Sequence, residues 1–65
     1  MKVTYQGRET ETGETTVAGF LEAAGVERRN CIVEFDGDIL PCDAQERTPL
    51  REGARLEAFR IVPGG

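Results

Sequence analysis

The sequence predicts an α+β domain in which one short helix lies across a small mixed sheet, with elements in the order ββαβββ. Three observations carry that expectation. Several short windows alternate apolar with polar residues, or cluster β-branched and aromatic ones, as strands do. One window, Val17, Phe20, Leu21 and Ala24, has the i, i+3, i+4, i+7 spacing of a helix face. Eight Gly and three Pro within 65 residues break the chain too often for a helical bundle.

The elements follow in order. Lys2 to Gln6 alternates polar and apolar side chains and is closed by Gly7, while Arg8 to Thr12 suits a largely solvated second strand ended by Gly13. The helix is expected from Val17 to Ala24. Thr15 or Thr16 is its N-cap, since a hydroxyl there accepts a hydrogen bond from a first-turn amide, and Gly25 is its stop. Cys31 to Phe35 is β-branched and aromatic and meets Asp36-Gly37, a two-residue hairpin turn. Asp38-Ile39-Leu40 returns. A two-residue turn places Phe35 opposite Asp38, Glu34 opposite Ile39, Val33 opposite Leu40, and, if the ladder continues, Cys31 opposite Cys42. Pro41 cannot donate to a ladder, so the return strand ends there or lies at an edge. Cys42 to Leu50 reads as an irregular connection with room for one helical turn. Glu52-Gly53 turns into a final strand from Ala54 to Val62, in which Leu56 and Ala58 alternate with Arg55 and Glu57. The expected core is Val3, Tyr5, Val17, Phe20, Leu21, Ala24, Val33, Phe35, Leu40, Leu56 and Ala58.

Length and composition exclude several classes of function. A chain of 65 residues with 38% hydrophobic positions forms one domain with one small core. Its formal net charge of −4 and lack of any Lys/Arg-rich run argue against nucleic acid and favour a basic protein surface as partner. No stretch approaches the roughly 20 apolar residues of a membrane span, and the first residues lack the apolar core of a signal peptide. A cytoplasmic location is therefore expected, where thiols stay reduced. Cys31 and Cys42 then read as small hydrophobes, although their expected pairing distance would also suit a disulfide.

Most catalytic constellations are absent from the sequence. With no His there is neither a Ser-His-Asp triad nor a His metal site, and two cysteines eleven apart form no Cys-x-x-Cys motif. Glu9, Glu11 and Glu14 fall where a solvated face is the plain reading. The chain is thus expected not to be an enzyme and to bind no metal or cofactor. Its ending, Pro63-Gly64-Gly65, is different. Two residues without side chains can thread a narrow channel and present an α-carboxylate to another protein, or they can simply fray at a terminus.

The helix start Thr16-Val17-x-x-Phe20-Leu21, the run from Val33 to Pro41, the segment from Thr48 to Glu57 and the ending from Phe59 to Gly65 together resemble the sulfur-carrier proteins of the ThiS and MoaD group. These are ubiquitin-like β-grasp proteins. The resemblance covers nearly the whole chain, and the length and the hairpin ending in Pro41 look more like the ThiS members. It implies a β-grasp domain over residues 1–62 and a flexible tail over 63–65. It also implies that an E1-like adenylating enzyme of the ThiF/MoeB type, using ATP and magnesium, activates the Gly65 carboxylate. A persulfide donor then leaves a thiocarboxylate that is delivered to thiazole synthase. Gly65 is the modified residue and Gly64 allows its passage.

In the family an apolar residue six positions before the terminal glycine contacts the activating enzyme, and that position is Phe59. Alternation from Leu56 and Ala58 also turns Phe59 and Ile61 outward as a partner-binding pair, unless a β-bulge rotates Phe59 into the core. A ubiquitin-like modifier joined to lysines through Gly65, a MoaD-like carrier for molybdopterin, and an interaction domain with an incidental Gly-Gly are the other readings. Lys2 would be the single side-chain acceptor for self-conjugation.

Overall fold

A computed structural model describes residues 1–61. The first hairpin joins β1 (Lys2–Tyr5) to β2 (Arg8–Glu11). Gln6 and Gly7 both adopt positive φ, 52° and 79°, the backbone of a two-residue turn whose twist matches the strands. That is why β1 ends at Tyr5, one residue before the expected end. Helix α1 (Val17–Ala23) starts at Thr16, whose hydroxyl accepts a hydrogen bond from the Gly19 amide at 3.0 Å. It stops at Gly25, φ 82°, where the Gly25 amide bonds the Glu22 carbonyl and the Val26 amide bonds the Leu21 carbonyl.

A single 3₁₀ turn at Arg28–Asn30 leads into β3 (Cys31–Phe35). Asp36 and Gly37, φ 52° and 91°, turn the chain into β4 (Asp38–Ile39). The expected register holds, with Glu34 opposite Ile39 and Phe35 opposite Asp38, and the Leu40 amide still bonds the Val33 carbonyl at 2.8 Å. A short helix α2 (Cys42–Gln45) occupies the connection, and β5 (Arg55–Arg60) closes the sheet.

The five strands lie in the order β2-β1-β5-β3-β4. β5 sits in the middle, parallel to β1 and antiparallel to β3. One face of this sheet packs against α1 around Val3, Val17, Phe20, Leu21, Val33 and Leu56. Tyr5 meets Phe20 edge to face, ring centroids 5.3 Å apart.

Two expectations are corrected by the packing. Ala24 is exposed, because α1 ends before it and Val26, beyond the glycine, supplies the apolar contact at that end. The cross-strand pairing of Cys31 with Cys42 does not form. Pro41 has no amide and leads into α2, while the Leu40 carbonyl accepts from the Gln45 side-chain amide at 2.9 Å. Cys31 stands opposite Arg60 of β5 instead, and both cysteines are free thiols. The core also contains Ala18, Leu50 and Ala54, which the sequence left outside it. Leu50 is drawn in because the connection pairs with the helix entry: its amide bonds the Thr15 carbonyl at 2.9 Å, and Val17 bonds Thr48 at 3.0 Å.

Candidate functional site: the open face of the sheet

Among the described residues, no element lies over the face of the sheet turned away from α1. β5 and β3 pair without interruption from Cys31 opposite Arg60 to Phe35 opposite Leu56, so no bulge intervenes and strict alternation applies. Leu56 points into the core and Phe59 points out, 46% exposed. Ile61, one residue past β5, is 48% exposed, its amide bonded to the Asn30 carbonyl at 2.8 Å. Phe59 and Ile61 therefore stand together at the end of β5, where the chain leads to its Gly-Gly ending. Gly64 and Gly65, and the division of the chain after residue 62, lie outside the described residues.

Two further apolar residues join this face and were missed in the sequence. Ile32 stands directly opposite Phe59 and is 42% exposed, and Ile39 on β4 is 68% exposed. The two-residue turn of the β3–β4 hairpin already placed Ile39 opposite Glu34. Pairing of β3 with β5 joins segments more than twenty residues apart, and no local pattern announces it. The first residue beyond β1 also supports this end of the sheet. The Gln6 side-chain amide donates to the Ala58 carbonyl at 2.9 Å and its oxygen accepts from the Ala58 amide at 3.0 Å. It thereby continues the β1–β5 ladder past the turn, to the residue preceding Phe59.

On the opposite flank, Arg28 ties α2 to α1. Its guanidinium donates to Glu22 Oε2 at 3.0 Å, Glu46 Oε2 at 3.2 Å, Gln45 Oε1 at 3.3 Å and the Cys42 carbonyl at 3.1 Å. Burial opposes its charge, but hydrogen bonds to the two carboxylates hold it above the ordinary arginine value. Both side-chain polar atoms of the buried Gln45 are engaged, Oε1 by Arg28 and Nε2 by the Leu40 carbonyl. This cluster is saturated by its own partners and explains where α2 sits. Among the described residues no group of three or more His, Cys, Asp or Glu side chains is placed to hold a metal ion, and no helix is long and apolar enough to cross a membrane.

A mixed five-stranded sheet centred on a strand parallel to β1, with one main helix across it, is the ubiquitin-like β-grasp fold. The sequence profile of the ThiS family matches residues 3–65, and the chain belongs to that family. A crystal structure of the thiamine biosynthesis protein ThiS from Geobacter metallireducens is similar, with a TM-score of 0.85 and 25% identity over all of both chains. A solution structure of a thiamine biosynthesis protein from the same organism matches with a TM-score of 0.77 and 25% identity, covering all of this chain and 88% of the other. Among curated protein sequences none matches significantly.

Proposed function

We propose that this protein carries sulfur for thiazole formation in thiamine biosynthesis, as a cytoplasmic protein substrate of other enzymes and not as a catalyst. The observation that supports this most directly is the ThiS family match, which runs through residue 65 and so includes the Gly-Gly ending. The names of the two similar solved proteins support the same pathway.

The chemistry addresses a specific difficulty. A carboxylate is a poor electrophile because its oxygen is a poor leaving group. In this reading an E1-like adenylating enzyme of the ThiF/MoeB type transfers AMP from magnesium-bound ATP to the Gly65 carboxylate and releases pyrophosphate. The terminal sulfur of a persulfide displaces AMP, and a thiol cleaves the resulting S–S bond, leaving a thiocarboxylate on Gly65 and a disulfide on the donor side. Thiazole synthase then receives that sulfur. Gly64 has no side chain to obstruct passage into the enzyme channel. Phe59 and Ile61 form the contact by which the adenylating enzyme recognises the chain, as expected of half-exposed apolar residues beside the reacting end.

Intact-mass measurement after incubation with the cognate adenylating enzyme, ATP, magnesium and a persulfide donor tests the reading. Exchange of one oxygen for sulfur is the expected result. Conjugates to lysines of other proteins would make the chain a modifier, and an unchanged mass would overturn activation altogether.

A further inference from the structure

We propose that the docking face extends from Phe59 across β3 to β4, and that its centre, Glu34 beside Glu57, receives a basic side chain, best an arginine, of the adenylating enzyme. This deepens the carrier reading above and rests on it. Directly opposed residues of antiparallel strands share a face. Ile39 is opposite Glu34, Glu34 is opposite Glu57, and Ile32 is opposite Phe59 one pair further along. Two half-buried carboxylates are therefore set side by side, bordered by Ile39 on one side and by Ile32 and Phe59 on another.

Folding gives no reason for this arrangement. Like charges directly opposite on a sheet repel and destabilise the pair. Among the described residues the ion pairs engage Glu11, Glu22, Glu46 and Asp36, and neither Glu34 nor Glu57. On the same face of β5, Arg55 stands two residues before Glu57, and the described ion pairs join it to neither carboxylate. A partner can supply what the fold omits. A guanidinium laid over the pair cancels the repulsion, and its planar face can lie against the Phe59 ring. Closure of Ile32, Ile39 and Phe59 against an apolar surface excludes water, which strengthens the charge interaction. The net charge of −4 on the chain agrees in sign.

The distinguishing signature is opposite effects on stability and recognition. In steady-state adenylation of the full chain, followed by pyrophosphate release with the cognate enzyme, Glu34→Gln and Glu57→Gln should each raise KM about five- to tenfold with kcat unchanged. The rise should shrink at high salt, while Tm equals or exceeds that of the wild type. Glu9→Gln on β2 removes the same charge away from the patch and should leave KM as it is. Wild-type KM in both glutamine variants, an equal rise in Glu9→Gln, or a KM rise accompanied by a fall in Tm would overturn the proposal. Failure of the wild type itself to be adenylated would instead overturn the carrier reading.

Discussion

Tyr5 shows how a single position reports the fold. Burial first, and then the neighbouring Cys31 thiol, push its phenol above the ordinary value. It is the one tyrosine in a chain without tryptophan, so its ultraviolet titration is unobscured and should have a midpoint above about pH 10. Because the folded value is raised, the contribution of the phenol to stability is complete below the unfolded value and is lost as pH rises through the folded one. Phe59 belongs to the same scale with the opposite expectation. It is half exposed and is not one of the buried core residues, so Phe59→Ala should change urea stability little. It should raise KM for adenylation roughly tenfold or more, the loss of about 1.4 kcal/mol or more expected of an aromatic anchor. A large stability loss at unchanged KM would assign the ring to folding. The outward direction of Phe59 was legible from Leu56 and Ala58 alone, because strand periodicity needs no partner strand. Its neighbour Ile32 was not legible, because the register of β3 on β5 is set by chain closure over more than twenty residues.

Elements depend on a few junctions. Helix α1 is short enough that its ends decide it, and the Gly25 junction combines positive φ with two capping hydrogen bonds. Gly25→Ala should cost roughly 1–2 kcal/mol in urea unfolding, the penalty of a Cβ in the left-handed region. Helix α2 has only four residues and no side-chain cap, so it is held from outside. Arg28→Ala leaves Gln45 Oε1 and the Cys42 carbonyl without their donor and should cost about 1–2 kcal/mol, the ion pairs adding little because Glu22 and Glu46 are well exposed. The sequence announced α1 by its apolar spacing and both hairpins by their glycines. It left room for one helical turn after Pro41 but could not place α2, whose position comes from Arg28, a residue fourteen places earlier than the carbonyl it binds. The same displacement of the chain at Pro41 keeps Cys42 away from Cys31, and thiol titration of the unfolded protein under non-reducing conditions should count two free thiols.

At the scale of the molecule, every buried core residue among the described residues falls between Val3 and Leu56. A chain ending at Val62 should therefore unfold at the wild-type Tm and yet acquire no adenylate, which would separate the folding unit from the reacting end. A lower Tm in that truncation would show that the ending contributes to the fold. The proposed division of labour suits so small a protein: one small core holds the fold, and in the carrier reading recognition falls to the open sheet face. The sequence by itself determined the class of fold, the hairpin turns, the helix and the side of β5 that carries Phe59. These depend on local periodicity and on residues such as Asp36-Gly37 and Gly25, whose backbone preferences act within a few positions. Only the tertiary structure decided that β5 lies between β1 and β3, that Leu50 and Ala54 are buried, and that Ile32, Glu34 and Glu57 gather around Phe59. Those facts come from pairing between distant segments, where burial of one common core, and not local preference, selects the register.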